Sequence, residues 1–304
     1  MKDCFQFWPL FAGVVIACSL TTVSSAQSHT PGPSTQAHAD KTSTPAKIDW
    51  NAPLPSAALL KQRVIANIKQ SEAEQERYVC KTTSDNVQTD KNGNIKHRQT
   101  KQYNRFFVNR QEVDQLTSKD GKPLNAEQQK KEQERVEKEI KKDSDMKYVA
   151  KQNEEGKKQL DDLLHMLRYT NGHRINLHGR STLVYDLSGD PNVHPKGPEE
   201  TFLHNMSGTI QVDEATGELV DLNAHLAHDV KVGGGLLANL HKGFWIHVHQ
   251  QMYPDGVWLN DLAEGNGDAR AALFFHPYFR FKILTNDCAL TNVSTSEGAT
   301  KISH

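Results

Sequence analysis

The sequence predicts an α+β protein: one large curved antiparallel β-sheet, an incomplete barrel, covered by an N-terminal helix and a helical insert. Three observations lead there. Past residue 200 the chain alternates apolar and polar side chains over long stretches, most clearly in Val220, Leu222, Ala224, Leu226, Val230 and Val232 against Asp221, Asn223, His225, Asp229 and Lys231, the period of a strand with one buried face. Turns of a few residues, such as Asp213–Gly217 and Pro254–Gly256, separate these stretches and force antiparallel pairing, because a parallel crossover needs a dozen residues or more. Helical spacing of apolar residues is confined to two regions, near 56–76 and 125–168, and a long one-sided sheet needs such elements to cover its apolar face.

The first residues read as an export signal. Lys2 precedes an apolar run from Phe5 to Leu20, and Val23-Ser24-Ser25-Ala26-Gln27 supplies small residues for cleavage after Ala26. Gln6 and Pro9 interrupt the run, which is short for a bilayer span. A second exit competes: Val15-Ile16-Ala17-Cys18 has the form of a lipoprotein box, in which Cys18 becomes a lipidated first residue. The chain therefore divides into a signal at 1–26, a flexible Ser-, Thr-, Pro- and Ala-rich linker at 27–52, one domain at 53–292 and a disordered tail at 293–304. The expected location is the bacterial periplasm or outer envelope.

The hydrophobic content of 36% is lean but sufficient for a core, and the formal net charge of -1 argues against nucleic acid, which demands a basic face. Outside the leader only Cys80 and Cys288 remain. Two cysteines near the ends of an exported domain suggest a disulfide tying the first strand to the last.

Taken in order, Ser56 caps a helix to about Glu76 with Leu60, Val64, Ile65 and Ile68 on one face. Arg77–Asp85 and Ile95–Val108 form strands around a Lys91-Asn92-Gly93 turn, and Arg110–Leu116 adds another before Asp120-Gly121. Asn125 opens the insert, read as helices at 125–143 and 145–168 broken near Asp143-Ser144-Asp145. Val136, Ile140 and Tyr148 give the first part a thin apolar stripe, and Leu160, Leu163, Leu164 and Leu167 anchor the second. Its mixed charges, with favourable pairs such as Glu134 with Lys138, read as a solvated face. Gly189–Glu200 reads as a loop, and 220–232 as one long strand. Further strands follow at Phe244–Met252, Val257–Leu259, Arg270–Phe275 and Tyr278–Leu284.

Motifs for chemistry are sparse. Val230–Ala238 contains a Gly-x-Gly-x-x-Ala match, but no crossover helix follows, so the glycines read as a bend and not as a dinucleotide site. His247 and His249 share one strand face and form the only metal candidate, although a third ligand from His225, Asp229 or Asp255 would be needed. His228, on the apolar side of the pattern, reads as a hydrogen-bonded core histidine. No Gly-x-Ser-x-Gly, His-Glu-x-x-His or P-loop is present, and neither a catalytic residue nor a cofactor is assigned.

An export signal, a first amphipathic helix, strand–turn–strand units such as Ser207–Asp213 with Gly217–Val220, and the late Gly256-Val257-Trp258-Leu259 resemble the Lol-type periplasmic lipoprotein-carrier superfamily over roughly Leu54–Thr291. The charged insert and the His-rich strands depart from the usual carriers. The resemblance implies a noncatalytic half-barrel whose concave face receives acyl chains of a lipid or lipoprotein. The residues expected to line that groove are Ile210, Val212, Val220, Leu222, Leu226, Phe244, Ile246, Val248, Phe279 and Phe281. Two alternatives stand beside it: a metal-dependent enzyme using His247 and His249, and a scaffold meeting an envelope partner protein through the charged helices.

Overall fold

The computed structural model describes residues 48–232, 238–271 and 278–291. The expected signal, most of the expected linker, the glycine run at 233–237, residues 272–277 and the expected tail beyond 292 lie outside the described residues. The elements are α1 (Ala57–Gln75), β1 (Tyr78–Thr89), β2 (Ile95–Val108), β3 (Gln111–Lys119), β4 (Lys122–Pro123), α2 (Ala126–Asp143), α3 (Met146–Met166), β5 (Leu167–Leu177), β6 (Arg180–Gly189), α4 (Pro198–His204), β7 (Met206–Asp213), β8 (Leu219–Leu226), β9 (Val230–Val232), β10 (Ala238–Leu240), β11 (Trp245–Met252), β12 (Trp258–Ala271) and β13 (Tyr278–Leu290).

The main sheet runs β4-β3-β2-β1-β13-β12-β11-β8-β7-β6-β5, every pair antiparallel, and its two ends do not meet. It is a broad open sheet, as the short turns required. The chain closes on itself in the middle of that order, where β1 lies against β13. There Cys80 and Cys288 are joined across 208 residues of sequence, so the bridge between first and last strand is present as expected. It sits at a register shift, where Val79 pairs with Ala289 but Lys81 with Asn286.

Several elements differ from the sequence reading. The pattern over 220–232 is two strands, not one. β8 ends at Leu226, whose N–H goes to the Phe244 carbonyl (2.8 Å), and the Ala227 N–H is taken by the Asn205 carbonyl (2.9 Å). These bonds carry the pairing one residue further before the ladder stops, and Val230 resumes in a small sheet of β9, β10 and the far end of β12. His228 falls in the break and is exposed, not a core histidine. The strand expected at Val257–Leu259 continues as β12 to Ala271, so Arg270 lies in it and does not open a new strand; the rest of the expected Arg270–Phe275 strand lies outside the described residues. Within the expected 189–200 loop a short helix, α4, begins at Pro198, whose missing N–H costs nothing at a first helical position.

The helices begin where their caps place them. Ser56 Oγ accepts from Leu59 N. Asn125 and Gln128 form a reciprocal capping box at 2.9 and 3.0 Å, and Asp145 caps α3 through Lys147 N. The side chains of Ile68, Leu160 and Leu163 lie outside the described residues.

α2 guards a sheet edge. β3 is bonded to β4 only at Ser118 and Lys119, which leaves most of its outer backbone edge open. Glu132 Oε1 accepts from Leu116 N at 2.7 Å, and Arg135 donates to the Asp114 carbonyl. Val136 and Ile140 pack with Phe106, Val108 and Val113. Part of the insert's charge thus satisfies an edge that would otherwise template aggregation.

Candidate functional site

In a β-ladder directly opposed residues share a face. Following the register across the sheet therefore sorts its two surfaces. One row on the first face is Tyr185, Ile210, Leu222, Val248, Ala263 and Ile283. The next is Leu187, Gly208, Ala224, Ile246, Gly265 and Phe281. Both rows are apolar from β6 to β13. The reverse face carries a row of opposite character: Thr170, Asp186, Thr209, Asn223, His247, Glu264, Lys282, Asp85 and Thr100. Nine strands in succession contribute one polar residue each.

The ten residues expected to line a groove are all on or beside the apolar face. Leu226, Phe244, Ile246, Val248 and Phe281 are buried in one cluster, with Ile210, Leu222 and Phe279 packed against it; Val212 joins a second cluster, and Val220 is buried. Helices cover this face. Leu60 and Val64 of α1 meet Leu183, Tyr185 and Val212, while Phe202 of α4 lies edge-on to Phe244 at 5.8 Å. Leu164 of α3 packs with Ile65 and Tyr169.

Two glycines that the sequence reading passed over set the depth of this surface. Gly265 is opposed by Phe281 and Gly267 by Phe279. A Cβ on Gly265 would stand 2.9 Å from the Phe281 ring, and one on Gly267 2.9 Å from the Phe279 ring and 2.6 Å from Phe244. The phenyl rings lie down over bare backbone, the arrangement by which aromatic residues shield glycine in a sheet.

The histidines occupy the reverse face. His247 Nε2 is 2.7 Å from Asp221 Oδ2 and its Nδ1 is 3.6 Å from Glu264 Oε1, while His249 Nδ1 is 2.6 Å from Asp261 Oδ1. Burial by itself lowers the His247 pKa, but Asp221 and Glu264 outweigh it and hold the imidazole above its ordinary value. Both ring nitrogens of His247 thus face carboxylates, and each can donate to one when the ring is protonated. Among the described residues no group of three or more His, Cys, Asp or Glu side chains is arranged to hold a metal ion. A depression of about 250 Å³ lies nearby, lined by Asp85, Trp245, Glu264, Gly265, Arg280, Phe281 and Lys282. Its acids are already engaged: Asp85 by Arg98 (2.9 Å) and Glu264 by Lys282 (3.3 Å).

No helix among the described residues is long and apolar enough to cross a membrane. No family model matches the chain, and no solved structure matches it.

Proposed function

We propose that this is an exported, noncatalytic protein of the bacterial cell envelope that receives an acyl chain of a lipid or lipidated polypeptide on the apolar face of its sheet. The observation that carries the reading is the pair of uninterrupted apolar rows from β6 to β13 on an open sheet, roofed by separate helices. Ile210, Val212, Val220, Leu222, Leu226, Phe244, Ile246, Val248, Phe279 and Phe281 would bear on the chain. Because these side chains pack against one another and against α1 and α4, entry requires a helix to shift, with the guest replacing its contacts. Such a guest is held by apolar area removed from water, about 25 cal/mol per Å², and asks for no catalytic group.

The disulfide between β1 and β13 fits an oxidising compartment, and the resemblance to Lol-type carriers points the same way. Native mass spectrometry of the exported protein tests the reading, with displacement of a polarity-sensitive fluorescent fatty acid as the solution assay. Adducts of lipid mass, and probe binding lost in a Leu222→Asp variant that still folds, are expected. Delipidated protein that neither binds the probe nor acquires lipid from vesicles would overturn it.

A further inference from the structure

α1 faces the sheet with two different surfaces. Its first half is apolar through Leu60 and Val64. One, two and three turns further along, the sheet-facing side chains are Asn67, Ser71 and Gln75, and the last two are buried. Polar residues in the same contact oppose them. Glu218, immediately before β8, is 5% exposed; Gln250 of β11 and Trp258 of β12 are also buried.

The groups are knitted together. Asn67 Nδ2 donates to Glu218 Oε2, and Ser71 bonds the same carboxyl. Gln75 Nε2 donates to Ser71 Oγ (3.1 Å) and to the Trp258 carbonyl (3.0 Å). The Gln250 amide lies 2.8 Å from Glu218 Oε1 and 3.2 Å from the Leu219 carbonyl, and with its nitrogen assigned to that side it donates to both. Trp258 Nε1 is buried without a partner.

Among the described residues this cluster lacks a cation. Among the described residues no lysine, arginine or histidine bonds Glu218. The charged groups around it are Glu74 on α1 and Asp213 on β7, and Asp213 is itself held by Arg180 at 2.5 Å. Both neighbours are acidic and oppose a second negative charge. Burial, helped by Asp213 and Glu74 and resisted by the bonds from Asn67 and Ser71, lifts the Glu218 carboxyl from 4.5 to about 7.

We propose that the second half of α1, residues 67–75, is a strap latched to the sheet by the neutral carboxyl of Glu218 and released when that carboxyl ionises. The sign follows from linkage. Released, the carboxyl regains water and its ordinary affinity for protons; latched, it binds the proton more tightly. Rising pH through about 7 therefore favours the released form. The first half of α1 stays seated, because Leu60 and Val64 carry no titrating group. The latch belongs to the helix–sheet contact and stands whether or not the apolar face receives an acyl chain.

Hydrogen exchange of the full chain, read as protection factors by mass spectrometry, tests this between about pH 5.5 and about pH 8.5. Protection of 67–75 is expected to fall about tenfold or more across that range, while β6 and β7 peptides in the same molecule hold theirs. In Glu218→Gln the strap's protection should be independent of pH. Wild-type protection that does not change with pH, or a Glu218→Gln variant with the same fall, overturns the latch. Should that variant fail to fold, carboxyl NMR of the wild-type protein decides: a Glu218 midpoint near the ordinary 4.5 overturns it, and one near neutrality supports it.

Discussion

Gly265→Ala measures how tightly the apolar face is closed. The new methyl group would stand 2.5 Å from the Trp245 carbonyl oxygen and 2.9 and 3.0 Å from two carbons of the Phe281 ring. Neither neighbour gives way freely. Trp245 is bonded into the β8–β11–β12 ladder, where it opposes His225 and Asn266, so its carbonyl moves only if the ladder bends. Phe281 is 6% exposed within the main cluster, so its ring must displace other core side chains. Overpacking of this kind costs about 1–3 kcal/mol. Replacing glycine in a strand returns roughly 0.5–1 kcal/mol of backbone entropy, leaving a net loss of about 0.5–2 kcal/mol.

Urea unfolding followed by tryptophan fluorescence reads this as a lower midpoint at unchanged slope. Phe281→Leu combined with Gly265→Ala should recover part of the loss by removing the ring contact, while the clash with the Trp245 carbonyl remains. A Gly265→Ala protein as stable as the parent would refute the reasoning. It would mean that Phe281 swings aside without cost and that the surface beneath it is already loose.

Other outcomes follow from the same geometry. Removing the bridge with Cys80→Ala/Cys288→Ala frees a loop spanning 208 residues and should lower stability by about 5 kcal/mol at most in the chain-entropy account; a loss under about 1 kcal/mol in urea would show that β1 and β13 stay associated in the denatured chain. Asp221→Asn removes the nearer carboxylate from His247 and should lower the imidazole pKa in an NMR titration. The raised pKa means that His247 contributes stability fully below 6.5 and loses it as pH rises through the folded value, so the variant should flatten that part of the pH–stability curve. Asn125→Ala breaks the capping box of α2 and should cost about 1 kcal/mol, seen as faster exchange in the first turn of α2; unchanged exchange there would count against the cap.

Much of this fold was legible because its signals are local. Period-2 alternation in Val220–Leu226, the positive-φ pair Asp120-Gly121 and the Asn125–Gln128 box each act within a few residues, and each element formed where its signal lies. The failures share a cause. The alternation through Val230 looked unbroken, yet β8 stops at Leu226 and Val230 pairs with Leu240 of β10 in a separate small sheet. Nothing near residue 226 announces partners so distant in sequence.

The site divides along the same line. Sequence alone determined that one face of the late strands is apolar and that His247 and His249 point the other way, since alternation is a property of the single strand. It also supplied the two cysteines and the charged character of the insert. Only tertiary structure decided which strands lie side by side, and with that the polar row through His247, Glu264, Lys282 and Asp85. It decided too that Phe281 rests on Gly265, that Arg135 and Glu132 close an edge, and that Glu218 is sealed under α1 with no cation among the described residues. Each of these depends on register and on the desolvation of a group by residues far away in the chain, and neither quantity is written into any short stretch of sequence.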